Sequence, residues 1–136
     1  MSLKLGVVMD PIGSINYKKD TTLALLWAAQ GRGWSLFYIE ADGLSLEENI
    51  PMARSCPLRV HQDPARWFEL GEADTTPLSS LDVVLMRKDP PFDMEYIYST
   101  YLLERAEQQG TLVVNRCQSL RDCNEKLFAT EFNDCC

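Results

Sequence analysis

The sequence predicts an α/β fold, an open and mainly parallel sheet with helices on both faces. Three observations carry this. Four short apolar runs, Lys4 to Met9, Leu36 to Ile39, Leu81 to Met86 and Thr111 to Val114, read as buried strands within the 136 residues. Two of the intervening stretches hold a helix with an aspartate at its start and a glycine at its end: Asp20 with Gly33, and Asp93 with Gly110. Strand–helix–strand crossovers imply parallel neighbours, and right-handed crossovers place the helices on opposite faces.

The elements follow in order. The first strand buries Leu5, Val7 and Val8 and stops at Asp10-Pro11. A loop over residues 11–19 carries Gly13, Ser14 and Asn16. The helix from Thr21 to about Arg32 has no charge between its cap and Arg32, and Leu23, Leu25, Leu26 and Trp27 surround its axis. A helix of this kind is covered on more than one side. Its second cover is either the irregular 42–80 region or a subunit interface. Within 42–80, Leu58 and Val60 alternate with polar residues and Trp67-Phe68 form a patch; this reads as two short strands in a peripheral hairpin. The helix from Met94 to Gln109 has an inner stripe of Ile97, Tyr98, Tyr101, Leu102 and Ala106. After the last strand, Asp122 with Glu125 three positions on forms a capping-box pattern. It opens a further amphipathic helix with Leu127, Phe128 and Phe132 on one face. The sequence stops soon afterwards, at Cys135-Cys136, so these three residues are expected to be poorly buried here or covered by a neighbouring chain.

Composition narrows the function. A net charge of −7 argues against a nucleic-acid partner, whose binding rests on neutralising phosphates. No apolar stretch is long enough to span a membrane, and the first residues lack a signal-peptide layout, so a cytoplasmic location is expected. The five cysteines are odd in number and fit no zinc spacing; free thiols and no metal site are expected. His61 is the single histidine, which leaves a His-centred triad thinly supported. No catalytic residue is assigned.

In open α/β sheets ligands sit beyond the carboxyl ends of the strands. That rule selects Asp10, Ser14, Asn16 and Lys18 after the first strand, and Arg87, Lys88 and Asp89 after the third. It also points to the loop holding Asn115, Arg116, Gln118 and Ser119. Basic side chains gather there although the chain is acidic, which suggests a small anionic ligand. Arg87 leads, because a guanidinium grips a carboxylate at two points. The alternative is an internal salt bridge from Arg87 to Asp89, Asp93 or Asp10. Pro90-Pro91 takes the loop out of the sheet and stiffens it. Neither G-x-G-x-x-G nor G-x-x-x-x-G-K-[ST] is present, so the Rossmann-like pattern does not by itself indicate dinucleotide binding.

Three runs carry a resemblance: Gly6-Val7-Val8-Met9-Asp10-Pro11 with Lys18-Lys19-Asp20; Met86-Arg87-Lys88-Asp89-Pro90-Pro91-Phe92-Asp93; and Asn115-Arg116-Cys117-Gln118-Ser119-Leu120-Arg121-Asp122-Cys123-Asn124-Glu125-Lys126-Leu127. They resemble bacterial glutathione synthetase, where a small N-terminal domain passes into the ATP-grasp domains. The resemblance implies a pre-ATP-grasp domain over residues 1–121, and the first helix of an ATP-grasp region over 122–136. It implies an ATP-dependent ligase that joins γ-glutamylcysteine to glycine through an acyl phosphate. ATP and Mg2+ would be held mainly by residues outside this sequence, with Lys126 reaching the ATP phosphates. It also implies a homo-oligomer, and inactivity of these 136 residues alone. Cys117 stands where the family usually shows proline, which frees the loop's φ. Two other classes compete: a stand-alone receiver-like regulatory domain phosphorylated on Asp10 or Asp89, and a pure oligomerisation module.

Overall fold

One sheet organises the chain in a computed structural model, which describes residues 2–88, 91–123 and 125–132, without the side chains of residues 125, 126 and 129. Its elements are β1 (Lys4–Val8), α1 (Thr21–Gly31), β2 (Ser35–Glu47), β3 (Ile50–Val60), β4 (Phe68–Leu70) and β5 (Asp74–Pro77), then β6 (Val83–Met86), α2 (Met94–Gln108), β7 (Leu112–Val114), α3 (Cys117–Asp122) and α4 (Glu125–Phe128). The sheet order is β4-β3-β2-β1-β6-β7, with β5 also on β3. The four expected strands are present and form the parallel part, β2-β1-β6-β7.

β1 lies inside that part, between β2 and β6, and both its faces are buried. Leu5, Val7 and Met9 point into a core roofed by Leu23, Leu26 and Ala29 of α1. Val8 points into a second core with Val84, Leu103 and Ala106, roofed by α2. The helices therefore lie on opposite faces, as the crossover rule requires. Gly6 lets its neighbours close over β1: a Cβ there would come within 2.6 Å of Leu81 Cδ1 and 3.2 Å of Ile39 Cδ1, so the Leu81 side chain would have to shift. Both helices start where expected: Asp20 Oδ1 accepts from Leu23 N at 2.8 Å, and Asp93 Oδ1 from Tyr96 N at 2.9 Å. Gly33, at φ +80°, closes α1 in a conformation that a side chain would strain.

Three expectations need correction. The 42–80 region is not peripheral. β2 runs on to Glu47, turns through Glu48 and Asn49 at positive φ, and pairs antiparallel with the eleven residues of β3. A two-residue turn of this hand usually carries Asn-Gly, and prolines 51 and 57 argue against a strand; both signals hid the ribbon. The inner stripe of α2 is rotated from the expected one. Ser99, Thr100, Leu103 and Ala106 are buried, while Tyr98 and Tyr101 are 61% and 50% exposed. Burial of two hydroxyls is possible because each bonds its own helix: Ser99 Oγ donates to Glu95 O at 2.9 Å and Thr100 Oγ1 to Ile97 O at 2.6 Å. Asp122 is the last residue of α3 rather than the cap of one long helix. The cap position of α4 falls on Asn124, outside the described residues.

The two covers offered for α1 are settled in part. Trp27 Nε1 donates to His61 O at 3.0 Å, and the Gln30 amide exchanges two 2.8 Å bonds with Val60. The 60–68 segment thus covers one side, while Ala24, Leu25 and Ala28 stay exposed. Leu127, Phe128 and Phe132 are exposed, as expected.

Arg121 pins α3 to α2. Its Nη2 lies 3.0 Å from Glu104 Oε1, its Nη1 donates to Thr100 Oγ1 at 3.1 Å, and its Cζ sits 4.4 Å from the Tyr101 ring centroid. Arg121→Ala is expected to cost about 1.5–3 kcal/mol, the range for hydrogen bonds to a charged group. Urea unfolding checks this; an unchanged midpoint would show that α3 is held by other contacts.

Candidate functional site

The hydrogen-bond ladder between β1 and β6 runs one residue past the strands and builds the site. Val8 pairs with Met86, and Arg87 N then donates to Val8 O at 2.8 Å. On the other side Met9 N donates to Ile39 O at 3.1 Å. Arg87 and Asp10 therefore leave the sheet side by side at its carboxyl end. The start of α1 closes the space between them. The result is a cavity of about 180 Å³ lined by Met9, Asp10, Ile15, Lys19, Asp20, Thr21, Thr22 and Arg87.

The loop that walls this cavity is clamped from behind. Ile12 is 2% exposed, and aromatic side chains satisfy both its backbone groups. Ile12 N donates to Tyr38 Oη at 3.3 Å, and Ile12 O accepts from Trp67 Nε1 at 3.0 Å. Tyr38 Oη in turn donates to Glu40 Oε1 at 2.8 Å. Burial, helped by the bond to Glu40, pushes the Tyr38 hydroxyl up to about 12.

The expected site residues fall into three groups. Asp10 and Arg87 line the cavity together. Ser14, Asn16 and Lys18 lie in the adjoining loop without lining it, and two of them shape the backbone there. Ser14 Oγ donates to Pro11 O at 2.7 Å, and Asn16 Oδ1 accepts from Lys18 N at 3.2 Å. Lys88 is half-buried one residue beyond Arg87 and does not line the cavity. Asp89 lies outside the described residues, as does the side chain of Lys126. Sequence reasoning missed Thr22, whose hydroxyl accepts from Arg87 Nε at 3.1 Å. The sequence places a threonine hydroxyl in the first turn of α1, but nothing in it brings that hydroxyl to Arg87. Nothing in the sequence separates Lys19 from Lys18.

Chemically the cavity presents cationic Arg87 and Lys19 against anionic Asp10 and Asp20, with hydroxyls from Thr21 and Thr22. Such a set can hold and orient a small carboxylate. A larger hollow of about 630 Å³ lies over β3 and β4. There Arg66 pairs with Glu69, and His61 Nε2 sits 3.2 Å from the same carboxylate. His61 with its bond, then Arg66, holds Glu69 below the usual carboxylate range. These charges answer one another rather than facing a ligand.

Among the described residues no group of three or more His, Cys, Asp or Glu converges as metal ligands would. Cys56, Cys117 and Cys123 are free thiols. Burial, then Glu107, holds the Cys117 thiol well above its ordinary range. No helix of the described residues is long and apolar enough to cross a membrane.

The chain is similar to known proteins over nearly all of its length. The family of prokaryotic glutathione synthetase N-terminal domains matches residues 3–121. A glutathione synthetase of Pseudomonas putida is 67% identical over 135 residues, covering 99% of this chain and 43% of that protein. The Pseudomonas aeruginosa glutathione synthetase is 62% identical over the same shares, and that of Shewanella oneidensis is 61% identical over 97% of this chain and 42% of its own length. The chain thus spans about two-fifths of the length of the curated relatives it matches.

Tyr38 and Cys117 give the fold a pH signature. Each is held neutral in the folded state, so its contribution is complete below its ordinary pKa and is lost as pH rises. The urea midpoint is expected to fall between about pH 9 and 12, where the unfolded chain releases protons that the folded chain keeps. Tyr38→Phe should reduce the part above pH 10 and leave the share of Tyr96, whose hydroxyl burial also pushes up. At neutral pH it should cost about 1–3 kcal/mol, because Ile12 N loses its partner. A flat alkaline profile for the unsubstituted chain would contradict this.

Proposed function

The chain belongs to the family of prokaryotic glutathione synthetase N-terminal domains, and from that membership we propose that it forms the substrate-side wall of an ATP-dependent ligase joining γ-glutamylcysteine to glycine. The observation that carries the proposal is the cavity in which Arg87 and Asp10 meet the start of α1. Arg87 supplies the two-point grip for a substrate carboxylate. The local chemistry is binding and orientation; positioning a reactant is a large part of catalysis in group transfer.

The cofactors are part of the same proposal. ATP and Mg2+ serve the whole enzyme, and Lys126 is the residue of this chain assigned to the ATP phosphates. The division after residue 121 belongs here too: it is supported by α3 being fastened to α2 while Leu127, Phe128 and Phe132 stay exposed. So does a homo-oligomer, supported by the uncharged face that Ala24, Leu25 and Ala28 leave open on α1, and a cytoplasmic location is part of the same proposal. The comparisons do not favour the receiver-like or purely oligomeric alternatives.

Two measurements test the reading. Calorimetric titration of the chain with γ-glutamylcysteine should give binding that Arg87→Lys weakens by at least about tenfold, as a lost bidentate contact of about 1.5–3 kcal/mol predicts. Equal affinity of the two proteins would remove Arg87 from the site. Incubation of the chain with γ-glutamylcysteine, glycine, ATP and Mg2+ should give no ligation; turnover would overturn the assignment of these residues to binding alone.

A further inference from the structure

We propose that Thr22 is a positioning residue for Arg87, and that by engaging Arg87 Nε it makes the end of the guanidinium the carboxylate grip of the cavity. This rests on the binding reading above. Arg87 Nε donates to Thr22 Oγ1 at 3.1 Å, and its own backbone N donates to Val8 O at 2.8 Å. The arginine is thus fixed at both ends of its aliphatic stem, once by the sheet and once by the helix.

Thr22 is suited to the task. It is 6% exposed in the first turn of α1, and Asp20 Oδ1 fixes that turn by accepting from Leu23 N at 2.8 Å. A hydroxyl deeper in a helix commonly turns back to a carbonyl of the preceding turn. In the first turn no earlier helical carbonyl stands behind it, so the hydroxyl can accept from a neighbour. The branched Cβ restricts χ1 and holds that direction.

The geometry has a consequence for recognition. A carboxylate can meet arginine side-on, through Nε and one terminal nitrogen, or end-on, through Nη1 and Nη2. With Nε given to Thr22, the side-on mode is closed and the end-on pair remains as the two-point grip. Arginine also has many rotamers to lose on binding. Thr22 removes part of that freedom beforehand, which strengthens binding without touching the ligand.

The test uses the full chain and compares Thr22→Val with Thr22→Ser. The readouts are hydrogen exchange at the Arg87 Nε–H, followed by NMR, and titration with γ-glutamylcysteine and with glutarate as a plain carboxylate probe. Thr22→Val should speed Nε–H exchange and weaken binding by about 3- to 10-fold, the range for one rotamer-rich side chain left to be immobilised on binding. Thr22→Ser should restore both. If valine at this position does not fold, as judged by the amide spectrum, Thr22→Ala replaces it in the same comparison. Unchanged Nε–H exchange in the hydroxyl-free variant overturns the positioning role. Faster exchange with unchanged affinity overturns the claim about the grip. If the unsubstituted chain binds neither probe, the binding reading fails, while exchange that depends on the hydroxyl still upholds the contact between Thr22 and Arg87.

Discussion

The burial of β1 on both faces is the constraint on which the rest depends. A strand with two apolar faces must be roofed twice, and α1 and α2 do this with separate cores. Leu5 and Val7 set one roof, and Val8 the other. Gly6 lets Leu81 approach so closely that no larger residue fits without displacing it. Fully buried leucine and valine side chains contribute roughly 1.5–3 kcal/mol each, more than a typical hydrogen bond between neutral groups at about 0.5–1.5 kcal/mol. The order of the parallel strands then follows: β2 and β6 are the two partners that β1 needs.

The site is a by-product of that arrangement. Because β1 and β6 end in register, the residues just beyond them meet. Because α1 roofs β1, its first turn arrives at the same place. Arg87, Asp10 and Thr22 come from three elements brought together by the core, not by local loop preference. The Ile12 clamp then sets the depth of the cavity by holding the preceding loop on β2 and on Trp67.

The parts of the fold that sequence reasoning reached are those with a single dominant signal. Four apolar runs marked the parallel strands, and Asp20 and Asp93 marked the helix starts. The antiparallel ribbon escaped because Glu48-Asn49 is not a usual tight-turn pair, and because Pro51 and Pro57 speak against a strand. The rotation of α2 escaped because Ser99 and Thr100 look like surface residues until their hydroxyls are seen bonded within the helix. In the site, Arg87 and Asp10 were readable from their place after a strand. Thr22 was not, because its role depends on how far α1 lies from β6, and pattern does not encode that distance.

The clamp on Ile12 has an optical side. Trp67 bonds the loop that walls the cavity, Tyr17 lies 6.0 Å from it and 5.6 Å from Trp27, and Trp27 is bonded to the carbonyl of His61. These three rings form one coupled cluster behind the binding loop. Indole emission responds to the polarity and hydrogen bonding around the ring, so the chain contains an intrinsic fluorophore wired to its own loop. Movement of that loop changes the light the protein emits, with no label attached.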